Sequence, residues 1–338
     1  MEFCEQVPLA PYTTFKIGGP ARWFAEATSE AEIVEAVEFA RERGLPLFVL
    51  GGGSNLLVSD EGFAGLVLRI GLKGVAQDGD CFDVAAGQDW DGFVSHAVER
   101  DFAGVECLAG IPGTVGGTPI QNVGAYGQEI SETVERVRAL DVSTLKPAEF
   151  ANAECGFAYR RSVFNSTERG KYIVTRVRYA LKKGGAPRLA YADLKKYFQE
   201  SAKPSLREVS AAVREIRRGK GMFIVEGDPD CRSAGSFFKN PVVPAATYER
   251  ISREEGEVPH YPAAGGAVKI PAAWLLERAG FHKGYAMGAA GVSSRHTLAL
   301  INRGGARAAD IFALRDRILA TVEERFGIRL EPEPVLLG

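Results

Sequence analysis

The stretch Leu108-Ala-Gly-Ile-Pro-Gly-Thr-Val-Gly-Gly-Thr-Pro-Ile-Gln-Asn-Val-Gly-Ala-Tyr-Gly127 carries no charge and few large side chains. Ordering such a run costs much backbone entropy and contributes little apolar surface to a core. It suits a chain that lays something large and flat against this backbone, or one with a loop-rich surface. It is no membrane span, because Pro112, Pro119 and the glycines would leave backbone groups unsatisfied in lipid.

A second cluster, Gly51-Gly-Gly-Ser-Asn-Leu-Leu57, follows the apolar run Leu45 to Leu50. Bare glycine amides after a strand can approach a diphosphate closely, and Ser54 and Asn55 add donors. Glycine clusters also serve plain strand-end turns. The pattern is neither the G-x-G-x-x-G fingerprint, since Leu56 holds the sixth position, nor a P-loop, since no Gly-Lys-Ser/Thr follows. Two such loops about sixty residues apart could grip a dinucleotide at its diphosphate and along its rings.

The length of 338 residues implies two or three domains with their own cores. A net charge of -2 supplies no general field for nucleic acid or an anionic membrane, so an anionic ligand needs a local site. Five scattered cysteines without a CxxC pair argue against a disulfide framework, a zinc ribbon or an iron–sulfur site, and four histidines without HxxxH spacing offer no metal set. The start Met-Glu-Phe-Cys-Glu-Gln is no signal peptide, so a cytoplasmic protein is expected.

Ser29 and Glu32 form a capping-box pattern ahead of Ile33, Val34, Val37 and Ala40, with Gly44 as the stop. Strands are expected at Leu45 to Leu50, Leu66 to Leu68, Phe82 to Ala85, Val134 to Asp141 and Tyr172 to Leu181, with a helix from Trp90 to Arg100. This alternation predicts an α+β fold rather than a doubly wound sheet. Lys182 to Arg188 reads as a junction, and Ser205 with Glu208 opens a helix through Arg217. Beyond it come a helix at Trp274 to Arg278, a strand at Thr297 to Ile301, a long helix from Ala309 to Phe326 ended by Gly327, and an apolar tail that Pro332 and Pro334 restrict to an edge strand or an irregular terminal segment.

Lys16-Ile-Gly-Gly-Pro20, Gly51 to Leu57, Ile111 to Gly117, Gln121 to Gly127, Tyr159-Arg-Arg-Ser162, Gly235-Ser-Phe-Phe-Lys-Asn-Pro241 and Leu330-Glu-Pro-Glu333 together resemble the UDP-N-acetylenolpyruvoylglucosamine reductase family, in family order along nearly the whole chain. The resemblance implies a vanillyl-alcohol-oxidase-type FAD-binding domain of two α+β subdomains (1–70 and 71–205), a C-terminal α+β substrate-binding domain (206–326) and a terminal segment (327–338). It implies non-covalent FAD, NADPH as hydride donor, and reduction of an enolpyruvyl ether of a UDP-sugar in peptidoglycan precursor synthesis. A monomer without nucleic-acid or membrane partners is expected. Tyr191, in Leu-Ala-Tyr-Ala-Asp, and Lys220 resemble the subtype with an extra tyrosine loop over the substrate.

By the same resemblance, the cofactor lies against Gly51, Gly52, Gly53, Ser54, Asn55, Leu56, Pro112, Gly113, Gly116, Gly117, Asn122, Gly124, Ala125 and Tyr126. Tyr159, Tyr191, Lys220, Asn240 and Lys269 are expected to bind substrate. Arg160 is implied as catalytic, and its planar fork suits a carboxylate and a developing enolate. Ser236 is implied as proton donor, where geometry can outweigh the weak acidity of a hydroxyl. Glu333 is implied to polarise or protonate the enolate, with Glu331 as the competing assignment. His296, in Ser-Arg-His-Thr, reads as structural and stays outside the expected site. A flavin oxidase on the same fold is the rival enzyme reading, but its tethering histidine is missing from Gly51 to Leu57. An electron-transfer module is the rival from another class, and it leaves Ser236 and Glu333 without a task.

Overall fold

The computed structural model describes residues 1–199 and 203–338. The chain divides into two compact units. One comprises Met1–Val7, Ala21–Gly53 and Ala64–Gly219; the other comprises Pro8–Pro20, Ser54–Phe63 and Lys220–Gly338.

The first unit holds two sheets. Strands Cys4–Pro8, Pro20–Ala27, Phe63–Ile70 and Leu47–Leu50 form one sheet in that spatial order, Leu47–Leu50 running parallel to Phe63–Ile70 with Leu47 opposite Leu66. The second sheet is antiparallel, in the order Pro147–Ala151, Val134–Asp141, Tyr172–Ala180, Cys81–Ala85, Val75–Asp78. Helix Glu30–Glu42 starts where Ser29 accepts from the Glu32 amide and Glu32 reaches back, the reciprocal box read from the sequence. Ser205 and Glu208 do the same for helix Leu206–Gly219. Alternate residues of the strands and the apolar stripes of these helices bury one core, centred on Trp90, Phe82, Phe93 and Tyr179. The expected junction at Lys182 to Arg188 instead begins as a strand, Lys182–Lys183, paired with Phe102–Ala103.

The second unit packs helix Ala308–Phe326 through Ile311, Leu314, Ile318 and Val322 against Phe237, Phe238, Leu275 and Leu300 in one cluster. The Asp60 carboxylate accepts from the Ala308 and Ala309 amides at 2.8 and 3.0 Å and so caps that helix from far along the chain. Such a cap is worth ~1 kcal/mol and is favoured by the helix dipole. The strand expected at Thr297 to Ile301 begins only at Leu300, because His296 and Thr297 turn: the Ala299 amide donates to the His296 carbonyl at 3.0 Å. The apolar tail ends as Val335–Leu337, parallel to Leu56–Val58. Leu330 and Leu337 are buried there while Val335 and Leu336 are exposed, so backbone pairing and these two leucines dock it. Among the described residues no helix is long and apolar enough to cross a membrane.

Candidate active site

Strand Leu47–Leu50 leads into Gly51, Gly52 and Gly53, which lie against the loop at Gly113 and Thr114. A Cβ on Gly52 would stand 2.5 Å from the Cα of Gly113, and one on Gly116 would stand 2.6 Å from the Cβ of Ala86, so both positions require glycine. The Gly113–Gly116 turn is pinned by its own backbone: the Trp90 amide donates to Gly113, Val115 to Gln88, and Gly116 to Ala86, at 2.8–3.1 Å. Gly117 meets nothing within 4 Å of a built Cβ, which leaves that side of the loop open. A rigid, side-chain-free cradle of this kind fits the diphosphate and ring system of a dinucleotide. Pro112 lies half-buried beside it. Ser54, Asn55 and Leu56 fall in the second unit, where the Asn55 amide nitrogen donates to the Glu333 carbonyl at 3.3 Å and the Asn55 carbonyl accepts from the Val335 amide.

Buried acids and cations hold this loop. Glu106, 1% exposed, accepts from the Gly104 and Arg188 amides and from the Gln128 side chain at 2.7–3.0 Å, and Gln128 in turn accepts from the Cys107 amide. Both polar atoms of the Gly110 peptide are clamped: its N–H donates to Asp91 at 2.6 Å and its carbonyl accepts from Arg217 at 2.9 Å. Burial pushes the Arg217 pKa down, opposed by the nearby Tyr126 and Asp91. Its charge persists, since a guanidinium starts from such a high value.

Asn122, Tyr126 and Arg160 share an unusual property: all three are left-handed, with φ of 47°, 47° and 55°. Non-glycine residues are held there only where surroundings over-determine them, commonly at functional sites. Asn122 is buried and donates to Glu129 and to the Ala158 carbonyl at 2.8 and 3.1 Å. Arg160 donates through Nη2 to the Gly124 carbonyl at 3.0 Å, and its own carbonyl accepts from Asn165. Tyr159 is exposed beside the Arg160 guanidinium, and Tyr191, also exposed, meets the Tyr126 ring edge-on at 5.3 Å. Contacts thus link Asn122 and Gly124 to the Ala158–Arg160 segment, and Arg161 is exposed, its backbone paired with Ala158.

In the second unit, the segment from Ser236 to Lys239 is flanked on both sides. The Phe237 amide donates to the Leu298 carbonyl at 2.8 Å, while the Phe237 carbonyl accepts from the Glu333 amide at 2.9 Å and the Lys239 amide donates to the Glu331 carbonyl. The Ser236 and Glu333 segments therefore run side by side, joined around the isolated bridge of Phe238 with Pro332. Glu331 is exposed and paired with Lys239 at 2.5 Å, whereas Glu333 is half-buried. Asn240 accepts from the Ala272 amide at 2.9 Å and caps helix Ala272–Arg278. Lys269 lies in strand Val268–Lys269, its ammonium 5.8 Å from the Tyr261 ring, and Lys220 opens the C-terminal segment of this unit. His296 was absent from the expected set, yet its Nε2 lies 3.2 Å from Ser236 Oγ. No local sequence signal marks that contact, which depends on the turn after Arg295.

Residues 228–337 match the family model described as UDP-N-acetylenolpyruvoylglucosamine reductase, C-terminal domain, and residues 21–145 match the FAD binding domain model. The reductase of Thermobifida fusca is 46% identical over 99% of this chain and 98% of its own length. The chain belongs to the UDP-N-acetylenolpyruvoylglucosamine reductase family. The reductase of Streptomyces avermitilis is likewise 46% identical, over 98% of this chain and 94% of its own. A crystal structure of the reductase from Thermus caldophilus superposes with a TM-score of 0.70 at 28% identity, covering all of this chain and 98% of that one. The α+β architecture and the FAD-binding domain expected from the motifs are those of this reductase family.

Proposed function

We propose that this chain reduces the enolpyruvyl ether of UDP-N-acetylglucosamine to UDP-N-acetylmuramate with NADPH, as a cytoplasmic monomer supplying peptidoglycan precursor. When bound, FAD supplies the two-electron redox chemistry that links NADPH to the vinyl carbon. The cradle of Gly51–Gly53, Pro112, Gly113, Gly116 and Gly117, with Ser54, Asn55, Leu56, Asn122, Gly124, Ala125 and Tyr126, holds that cofactor by backbone approach.

Arg160 pairs with the substrate carboxylate and stabilises negative charge as it spreads from the adjacent carbon. The Ser236 hydroxyl gives its proton to that carbon, forming the C–H bond of the lactyl ether. Glu333 polarises the same centre, and its half-burial beside the Ser236 segment favours it over the solvated Glu331. Tyr159, Tyr191, Lys220, Lys269 and the amide end of Asn240 bind the sugar diphosphate. The observation that carries the reading is the hydrogen bond from the Glu333 amide to the Phe237 carbonyl at 2.9 Å, which joins the segment bearing the Ser236 hydroxyl to the one bearing the Glu333 carboxyl.

The deciding measurement is anaerobic stopped-flow absorbance on Ser236→Ala. NADPH should bleach the flavin bands at nearly the wild-type rate, while their return on mixing with the enolpyruvyl sugar nucleotide should slow by ~10²–10⁴-fold. Wild-type recovery in Ser236→Ala, or no recovery with wild-type protein, sinks the proposal.

A further inference from the structure

Outside the expected set of residues, one contact bears on the proton transfer itself. Ser236 Oγ lies 3.2 Å from His296 Nε2, and the histidine is not loosely hung. Its amide and that of Arg295 both donate to the fully buried Ser293 hydroxyl, at 3.2 and 3.1 Å. Asp230 clamps the same loop, accepting from the Ser294 amide at 3.0 Å, the Ser294 hydroxyl at 2.6 Å and Arg295 Nε at 2.9 Å. The loop is then tied to the Ser236 segment by the Phe237 to Leu298 hydrogen bond. The imidazole is thus fixed relative to the hydroxyl by backbone on one side and a buried carboxylate on the other.

A serine that must give up its proton needs two things: the O–H bond aimed at the acceptor carbon, and relief for the charge left on oxygen. We infer that His296 is a positioning residue that supplies both, by donating a hydrogen bond from Nε2 to Ser236 Oγ. That nitrogen carries a proton in the imidazolium and in one of the two neutral tautomers. Occupying an Oγ lone pair with a donor turns the hydroxyl proton away from the ring. As the O–H bond breaks and the new C–H bond forms, the N–H···O contact becomes charge-assisted and strengthens, which lowers the barrier selectively. Removing a donor of this type costs ~10²–10³-fold when it touches the reacting oxygen directly. One atom further out, a loss of roughly 10–100-fold is expected by the same reasoning.

The inference rests on Ser236 as proton donor, and a double-mutant cycle separates the two. His296→Leu should leave flavin bleaching by NADPH unchanged and slow recovery with the enolpyruvyl substrate by roughly 10–100-fold. The same change placed on Ser236→Ala should add less than about two-fold. His296→Gln, whose amide can still donate from the position of Nε2, should recover most of the lost rate. In ¹⁵N-histidine NMR of the wild-type protein, His296 Nε2 should carry the proton. The role of His296 is overturned if His296→Leu recovers at the wild-type rate, if its effect persists undiminished on Ser236→Ala, if His296→Gln is as slow as His296→Leu, or if Nε2 is unprotonated. Normal recovery in Ser236→Ala overturns the proton-donor reading instead.

Discussion

Gly52 and Gly113 come together so closely that a methyl group on the first would stand 2.5 Å from the Cα of the second. Backbone cannot yield as a side-chain tip can, so Gly52→Ala must part the two loops, at a cost of ~1–3 kcal/mol by analogy with overpacked cores. The purified variant should be folded but colourless, or nearly so, with the 450 nm to 280 nm absorbance ratio far below wild type. Gly219→Ala, where a Cβ meets nothing within 4 Å, serves as control and should retain full colour. An equally yellow Gly52→Ala protein means that the cofactor does not rest on this approach.

Tyr191 leans edge-on against Tyr126, which itself sits in a left-handed conformation, so its phenol is presented from a rigid support although its ring is exposed. Lys220 opens the C-terminal segment of the second unit immediately after helix Leu206–Gly219. Tyr191→Phe and Lys220→Ala should each raise the Michaelis constants for the sugar nucleotide and for NADPH while leaving the flavin spectrum unaltered. The lysine change should be the larger, since a charge-assisted contact to a diphosphate is worth ~1.5–3 kcal/mol. Unchanged constants in both variants would remove these residues from the site.

What could be read in advance was local. Ser29 with Glu32 and Ser205 with Glu208 declare their helices because a capping box closes within four residues. The glycine loops were legible as a cradle for the same reason. What stayed hidden was long-range. That Ser54–Phe63 belongs with the C-terminal unit follows from the pairing of Leu56–Val58 with Val335–Leu337 and from Asp60 capping a helix that starts at Ala308. His296 reads as structural from the sequence because its neighbour across space, Ser236, is sixty residues away, and the folded loop around Ser293 is what brings the ring to it. Motif resemblance named Ser236 and Glu333, but the backbone bond that brings their segments side by side was not written in either motif.

Asp230 makes the second unit sensitive to acid. Burial would raise its carboxyl pKa, but hydrogen bonds from the Ser294 hydroxyl and amide and from Arg295 outweigh that and hold it below the ordinary range. The ionised form is therefore favoured in the folded state. Its contribution to stability is fully present above the unfolded value of about 4 and fades as pH falls through the lower native value. Urea midpoints followed by tryptophan fluorescence should show Asp230→Asn well below wild type at pH 7, with the gap narrowing toward pH 3. A gap that stays constant with pH would mean that the carboxylate charge contributes nothing.

Arg160 is held in two ways that a substitution can separate. Its backbone is left-handed at φ 55° with the carbonyl secured by Asn165, and its guanidinium already gives one nitrogen to the Gly124 carbonyl at 3.0 Å. A planar fork can keep that tether and still present further N–H groups to a carboxylate, while the single ammonium of lysine cannot span both. Arg160→Lys should therefore fold, bind FAD and bleach normally with NADPH, because none of these needs the fork. Recovery of the flavin bands with the enolpyruvyl substrate should fall by roughly 10²-fold or more, the scale seen when one preorganised donor to a developing oxyanion is lost. The Michaelis constant for that substrate should rise with it, since the carboxylate is gripped before as well as during the transfer. A variant that recovers at the wild-type rate, or one slowed equally in both half-reactions, would show that Arg160 serves only to brace the Gly124 loop.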